Sequence, residues 1–148
     1  KDQKDIVLIH DGVRPLISQK TITDNIESVK KFGSAITSTQ VKETVVVVDE
    51  EYYIRNVPDR SATWLARAPQ SFFLSEILDL YDHTRKETDL DFVDSCTMMQ
   101  HFGKPTHLIE GPNENIKITT PDDFYAMKAI LDAREEAQIF GYDNVSVE

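Results

Sequence analysis

At 148 residues, with 40% hydrophobic and 28% charged residues, the chain has the size and composition of a single globular domain with a buried core. Its formal net charge of −10 at pH 7 repels polyanions and argues against a nucleic-acid partner, while a locally basic pocket or a divalent cation still permits a small phosphorylated ligand. The sequence has no apolar run long enough to span a bilayer and no stretch that resembles a signal peptide, which predicts a cytoplasmic protein without a membrane partner.

The chain opens on an apolar strand that leads into a charged turn. Residues 6–9 are Ile-Val-Leu-Ile, a run typical of a buried strand in a parallel sheet, and the turn His10-Asp11-Gly12-Val13-Arg14-Pro15 follows. Ligands of open α/β sheets bind beyond the carboxyl ends of the strands, so Asp11 and Arg14 are candidate site residues. From the residues alone a second interpretation stays open, in which Asp11 caps the next helix and Arg14 pairs with a surface carboxylate.

A helix is predicted over residues 18–32, with Ser18 as its N-cap and Gly33 as its stop. Its apolar positions recur at helical spacing and are Ile22, Ile26, Val29 and Phe32. Together with the preceding strand, this helix makes a βα unit.

A β-hairpin is predicted next. An extended stretch covers residues 34–48 and ends in four consecutive valines, the polar turn 49–51 follows, and residues 52–57 return as a second strand. A hairpin that leaves the body of a domain is marginally stable alone and usually packs against something, often a partner subunit.

Helical and extended patterns continue to the end of the chain. The predicted elements are a helix from Leu74, a helix through residues 93–102 with Cys96 as a buried thiol, short strands at 107–110 and 115–119, and a final helix. This last helix begins with Thr120 as N-cap and Pro121 in the first position, and its face carries Phe124, Met127, Leu131 and Arg134. Residues 1–140 are predicted to form one domain and residues 141–148 a polar tail.

Four separated motifs carry the strongest functional signal. They are the turn at residues 10–15, Val41-Lys42-Glu43-Thr44, Asp59-Arg60 with Trp64 and Ala68-Pro69-Gln70, and Asn115-Ile116-Lys117-Ile118-Thr119 followed by Pro121-Asp122-Asp123. In this order and spacing they resemble the cytidylyltransferases that join a sugar-alcohol phosphate to CMP, among them the methylerythritol-phosphate and ribitol-phosphate enzymes. The resemblance extends from about Asp5 to about Ala133.

The resemblance implies a Rossmann-like, three-layer α/β nucleotidyltransferase sheet with a protruding hairpin arm at about residues 45–60. The implied reaction transfers CMP from CTP to an alditol phosphate and uses Mg²⁺. The valine at position 13 favours ribitol 5-phosphate and cell-surface polymer synthesis; the alternatives are a 2-C-methyl-D-erythritol 4-phosphate enzyme of isoprenoid synthesis or a non-catalytic dimerisation module. The glycine-rich loop and the Pro-Lys-Gln element that hold CTP in these families have no counterpart here, so we expect the chain to be the carboxyl-terminal part of such an enzyme.

The resemblance also assigns catalytic roles, position by position. Asp11 would bind Mg²⁺ against the CTP phosphates, and Lys117 would stabilise charge at the reacting phosphorus. Asp94 would either orient Lys117 or cap the predicted helix at residues 93–102. His10 is expected to be structural, because a phosphate dianion needs no base to act as a nucleophile.

Three further residues would bind the acceptor phosphate. They are Arg14, whose guanidinium can hold a phosphate through two hydrogen bonds, Thr44, and Arg60 at the base of the arm. Arg60 would reach the acceptor phosphate of the neighbouring subunit, which implies a homodimer formed through the arm. From the residues alone, Thr44 reads as a strand threonine and Arg60 as the partner of Asp59 in a surface pair.

Overall fold

The computed structural model describes residues 5–87 and 90–141, and within these residues it contains four α-helices, a short 3-10 helix at Arg60–Ala62 and two sheets. In chain order the elements are β1 (Ile6–Ile9), α1 (Gln19–Phe32), β2 (Ser34–Gln40), β3 (Val47–Val48), β4 (Ile54–Asn56), β5 (Trp64–Phe73), α2 (Leu74–Lys86), α3 (Ser95–His101), β6 (Leu108–Glu110) and α4 (Pro121–Phe140). The predicted polar tail lies outside the described residues except for Gly141, which caps α4.

The main sheet is built around β5. Its strand order is β1, β5, β2, β6; β5 pairs antiparallel with β1 and with β2, and β2 pairs parallel with β6. The prediction of β1 as a buried strand of a parallel sheet is wrong, because its partner β5 runs antiparallel and its residues are half-buried. An apolar run indicates contact with a core but carries no information about the direction of the neighbouring strand.

Helices cover both faces of this sheet, which produces the predicted three-layer α/β architecture. On one face, Asn25 of α1 is hydrogen-bonded to Thr37 of β2 and to Ser71 of β5. On the other face, α2 and α3 enclose the apolar core, whose buried members are Ile36, Phe72, Ile77, Leu80, Met98 and Met99. The layer on the α1 side is therefore held largely by polar contacts, with Val29 among its buried residues, and the other layer is apolar.

Both predicted ends of α1 are confirmed. The Ser18 hydroxyl accepts a hydrogen bond from the N–H of Thr21, and Gly33 adopts the left-handed conformation at φ 86°. The predicted apolar face is wrong in part, because Ile22 and Phe32 are exposed. The buried residues of α1 are Thr21, Asn25, Ser28 and Val29, since the strands beneath this helix offer polar partners.

Two predicted strands differ in the structure. The extended stretch predicted at residues 34–48 is interrupted, because β2 ends where its ladder with β5 ends, at the pair Gln40 and Trp64. Residues 115–119 form no strand. The N–H of Ile118 instead donates to the carbonyl of Val13 at 2.9 Å, so that this segment is held by the turn after β1 rather than by a sheet.

The predicted hairpin is present as the antiparallel pair of β3 and β4. The carboxylate of Asp49 holds its turn by accepting hydrogen bonds from the N–H groups of Glu51 and Tyr53. Within the part of the chain that the structure describes, these two strands pair only with each other, and all their residues are exposed.

The helices of the second half begin close to their predicted positions, but their packing differs from the prediction. Val93 is 93% exposed and precedes α3, so it is not part of that helix's apolar face. The predicted N-cap of α4 is confirmed, because Thr120 and Asp123 form a capping box. No residue of α4 is buried, and its predicted face is largely exposed at Phe124 and Leu131. None of the described helices combines the length and the apolar character needed to cross a membrane.

Candidate active site

The turn after β1 holds Asp11 and Arg14 against each other. Nε of Arg14 donates to Oδ2 of Asp11 at 2.8 Å, and the N–H of Arg14 donates to the Asp11 carbonyl at 3.0 Å. His10 has the structural role expected for it, because its Nε2 lies 2.9 Å from the carbonyl oxygen of Arg14 and closes the turn. Arg14 is buried, so the turn presents its charged groups from a fixed position.

The segment that carries Lys117 is joined to this turn across a long stretch of sequence. Nη1 of Arg14 donates to the carbonyl of Asn115 at 2.7 Å. The side-chain Nδ2 of the fully buried Asn115 donates to the carbonyl of Ala68 at 2.6 Å, which also ties the segment to β5. Together with the bond from Ile118 to the turn, these contacts place Lys117 on the same cleft as Asp11.

A cleft of about 450 Å³ opens at this junction. Three of the five predicted site residues, Asp11, Arg14 and Lys117, line it. Arg67 and Gln70 of β5 and Asp94 before α3 also line it. Asp91 lines the cleft as well, so three cations and three carboxylates face it. The cations can bind an anion such as a phosphate, and the carboxylates can bind a cation that accompanies it.

The other two predicted residues lie outside this cleft. Thr44 lines a neighbouring groove together with Lys42 and Arg67, and Arg60 lines a separate groove beside Asp59. The carboxylate of Asp59 accepts hydrogen bonds from Ser61, and the structure records no ion pair between Asp59 and Arg60 among the described residues. The surface pair of Asp59 and Arg60, which the residues alone suggested for Arg60, is therefore not formed.

The surroundings of Asp11 suit an ion that is held mainly by substrate oxygens. Arg14 engages Oδ2 of Asp11, and no residue in the described ranges is hydrogen-bonded to its Oδ1. The described residues contain no group of three or more His, Cys, Asp or Glu side chains placed to hold a metal ion. Because Mg²⁺ commonly binds through one or two carboxylates together with phosphate and water oxygens, Asp11 alone is a fitting protein ligand.

Asp94 caps α3, which is one of the two roles expected for it. Its Oδ1 accepts from the N–H of Thr97 at 2.8 Å, and its Oδ2 accepts from Nε2 of Gln70 at 2.9 Å. Among the described residues no ion pair joins Asp94 to Lys117. Cys96 is half-buried rather than buried as predicted; partial burial, followed by the negative charge of Asp94, raises the pKa of its thiol and favours the protonated form.

Arg67 is a cleft residue to which the sequence analysis assigned no role. Its Nη1 donates to the carbonyls of Asn113 and Asn115 at 3.0 and 3.2 Å, so it shares the second carbonyl with Arg14. Partial burial, and after it the charge of Arg14, lowers the pKa of Arg67. The available signal was an arginine directly before the Ala68-Pro69-Gln70 motif.

The three-layer fold and its cleft, in which carboxylates and cations meet at the end of a strand, define the chain as an α/β domain with a charged site of the kind that binds small charged ligands. The family model described as IspD, 2-C-methyl-D-erythritol 4-phosphate cytidylyltransferase, matches residues 1–133. The chain belongs to this family.

Individual relatives agree with the family. The chain is 52% identical over 136 residues to ribitol-5-phosphate cytidylyltransferase of Streptococcus agalactiae serotype Ia, covering 92% of this chain and 57% of that protein. It is 35% identical to 2-C-methyl-D-erythritol 4-phosphate cytidylyltransferase of Desulforamulus reducens, covering 88% of this chain and 55% of that one. The crystal structure of 4-diphosphocytidyl-2C-methyl-D-erythritol synthase from Anaerococcus prevotii superposes with a TM-score of 0.80 at 29% identity, over 86% of this chain and 57% of that chain. The chain thus spans little more than half the length of these relatives.

Proposed function

We propose that this protein transfers CMP from CTP to ribitol 5-phosphate, forming CDP-ribitol and pyrophosphate for cell-surface polymer synthesis. The observation that carries the proposal is the meeting of Asp11, Arg14 and Lys117 in one cleft. The choice of acceptor is supported by the identity of 52% to a relative named for ribitol 5-phosphate, against 35% to a relative named for the methylerythritol compound.

In the proposed reaction, a phosphate oxygen of the acceptor attacks the α-phosphorus of CTP in line. The new bond forms between that oxygen and the phosphorus, while the bond from the α-phosphorus to the bridging oxygen breaks and pyrophosphate leaves with its electron pair. The ammonium of Lys117 stabilises the negative charge that grows on the oxygens around phosphorus. Arg14 contributes positive charge from a position held by Asp11 and Asn115, so that little reorganisation is needed when substrate binds.

Asp11 is the residue that would hold Mg²⁺. When bound, the ion would neutralise phosphate charge and lower the cost of bringing two phosphorylated substrates together. The pairing of Asp11 with Arg14 fixes the orientation of the carboxylate in advance.

The methylerythritol activity is the second candidate. It is favoured by the family model, which bears that name, and by the solved structure with a TM-score of 0.80. The ratio of kcat/KM for the two acceptors, measured with the same preparation, decides between them. Absence of pyrophosphate release with both acceptors would instead support the non-catalytic dimerisation module.

The proposal includes a homodimer and a cytoplasmic location. The exposed hairpin of β3 and β4 supports the homodimer, because its apolar residues lack a covering element within the described part of the chain. In such a dimer, Arg60 and the arm would serve the site of the neighbouring subunit. The single cysteine, Cys96, is free, which suits a reducing compartment.

Replacement of Lys117 by alanine in the full-length protein tests the proposed mechanism. The expected result is a fall in kcat of about 100-fold or more, because a charge-stabilising donor at the reacting phosphorus is lost. Pyrophosphate release from CTP, Mg²⁺ and ribitol 5-phosphate is the measurement.

The matched control is Lys128→Ala on the exposed surface of α4, which removes the same charge away from the cleft and leaves kcat unchanged. Urea unfolding of both variants shows whether the fold is retained. A Lys117→Ala protein that turns over at the wild-type rate would remove Lys117 from the mechanism.

A further inference from the structure

Arg67 lies at the junction of two cavities. It lines the cleft of Asp11 and Lys117, and it also lines the neighbouring groove that contains Lys42 and Thr44. Among the five residues assigned to the site by resemblance, none lines both cavities. A side chain in this position can contact a ligand that extends from the groove into the cleft.

The guanidinium of Arg67 is held at one nitrogen and available at the others. Nη1 donates to the carbonyls of Asn113 and Asn115, whereas Nε and Nη2 have no hydrogen-bond partner among the residues that the structure describes. The edge formed by Nε and Nη2 is the part of a guanidinium that binds two oxygens of a phosphate or carboxylate side by side. The two carbonyls fix the plane of the group, so little entropy is lost when an anion binds to this edge.

The charge of Arg67 has no acidic partner. No Asp or Glu of the described ranges forms an ion pair with it, although the chain as a whole carries 26 acidic residues against 16 basic ones. Partial burial, and after it the positive charge of Arg14, lowers the pKa of Arg67 and so disfavours its charged form. An anion bound from solution would relieve both the repulsion and the burial cost.

We propose that Arg67 binds the phosphate of the alditol phosphate acceptor through its Nε and Nη2 edge. This inference rests on the function proposed above, and it names the acceptor because Arg67 also borders the groove of Thr44, a predicted acceptor-binding residue. The same chemistry suits a phosphate of CTP, so the kinetic test has a separate arm for each substrate.

The test compares Arg67→Gln, Arg67→Lys and Arg85→Gln in the full-length protein. Glutamine keeps a donor for the carbonyls of Asn113 and Asn115 but removes the charge, and Arg85 on the exposed end of α2 is the control for loss of one positive charge. Arg67→Gln is expected to raise KM for ribitol 5-phosphate about tenfold or more, with KM for CTP little changed, since a charge-assisted hydrogen bond to phosphate is lost. Arg67→Lys recovers part of the loss, and Arg85→Gln has no effect.

An unchanged KM for ribitol 5-phosphate in Arg67→Gln, or an increase confined to KM for CTP, overturns the assignment to the acceptor. Circular dichroism and urea unfolding show whether each variant folds. If Arg67→Gln does not fold, Arg67→Lys replaces it as the test protein. In that case a Lys variant with wild-type KM for the acceptor overturns the assignment as well, because lysine cannot reproduce two parallel hydrogen bonds.

Calorimetric titration with ribitol 5-phosphate in the absence of CTP separates this inference from the proposed function. Binding that weakens about tenfold in Arg67→Gln, with no binding of unphosphorylated ribitol, supports the role of Arg67 even if the wild-type protein transfers no CMP. Equal affinities of the wild type and Arg67→Gln refute it even if the wild-type protein is an active transferase.

Discussion

Asp94 connects α3 to β5 through its two carboxylate oxygens. One oxygen accepts from the N–H and the hydroxyl of Thr97 in the first turn of the helix, and the other accepts from Gln70, whose own Oε1 accepts from the N–H of Cys96. Partial burial favours the protonated form, but the hydrogen bonds from Thr97 and Gln70 outweigh it, so the pKa of Asp94 lies below its ordinary value. The ionised form is therefore the one that stabilises this wall of the cleft.

Asp94→Ala is expected to lower the free energy of unfolding by about 1–2 kcal/mol at neutral pH, because α3 loses its N-cap and the Nε2 of Gln70 loses one of its two acceptors. A pKa lowered by folding means that the carboxylate contributes its full stability above its unfolded-state pKa of about 4 and loses that contribution as pH falls through the lower folded value. The difference between the wild type and the variant should therefore shrink below about pH 4. Urea unfolding curves at neutral and acidic pH measure it; a difference that grows on acidification would contradict this account.

Residue by residue, the motifs predicted the cleft incompletely. Asp11 and Arg14 were selected from their types and their places in the chain, Lys117 was selected from the family resemblance, and the structure brings all three to one cleft. Arg67 escaped notice because its importance comes from its neighbours: the carbonyls of Asn113 and Asn115 and the nearby Arg14 are distant in sequence.

At the scale of elements, α1 packs on the sheet through a buried hydrogen-bond network. Asn25 donates to the carbonyl of Thr21 and to the hydroxyl of Thr37, and it accepts from the hydroxyl of Ser71. Thr37 in turn donates to the carbonyl of Pro69 at 2.7 Å. Because every member has a partner, this polar layer can be buried without the penalty of unsatisfied groups.

Asn25→Ala is expected to destabilise the protein by about 2–4 kcal/mol, because Ser71 is left without an acceptor and a cavity opens under α1. The matched control is the neighbouring Asp24→Ala, which removes only an exposed pair with Lys20 and should change stability by less than about 1 kcal/mol. Chemical denaturation of both variants is the measurement. Equal stabilities of the two variants would show that the network contributes nothing.

This network explains why helices were easier to predict than strands. The caps Ser18, Gly33 and Thr120 act through local backbone groups, so their residue types were sufficient to place the helix ends. β5, in contrast, has no clear alternation of apolar and polar residues, because its buried polar side chains are satisfied by α1 and α3. Such partners are known only once the chain is folded.

At the scale of the whole molecule, the distribution of charge and of exposed apolar residues bears on the proposed partners. A net charge of −10 opposes nucleic-acid binding, while Arg14, Arg67 and Lys117 of the cleft supply local positive charge for a small anion beside its carboxylates. The hairpin carries exposed apolar side chains that a monomer would leave in water; they are Val46, Val47, Val48, Tyr52, Tyr53, Ile54 and Val57. Both features agree with the proposed homodimeric enzyme for small phosphorylated substrates.

Ile54→Asp in the hairpin is expected to convert the proposed dimer into a monomer, because a buried unpaired carboxylate in an apolar interface is strongly unfavourable. Val93→Asp, which places the same charge at a residue 93% exposed outside the hairpin, should leave the dimer intact. Sedimentation velocity gives the molecular mass of each protein. A monomeric wild type, or a dimeric Ile54→Asp variant, would refute assembly through the arm.

The sequence by itself determined the helix caps, the hairpin, the α/β class and two ionisable groups of the cleft, Asp11 and Arg14, because these depend on residue type and on local spacing. The tertiary structure alone decided that β1 runs antiparallel to β5, that residues 115–119 dock on the turn of Asp11 instead of joining the sheet, and that Arg67 enters the site. The physical reason is that strand direction and the sharing of a carbonyl between two arginines are set by hydrogen bonds between residues far apart in the chain, such as that from Arg14 to Asn115.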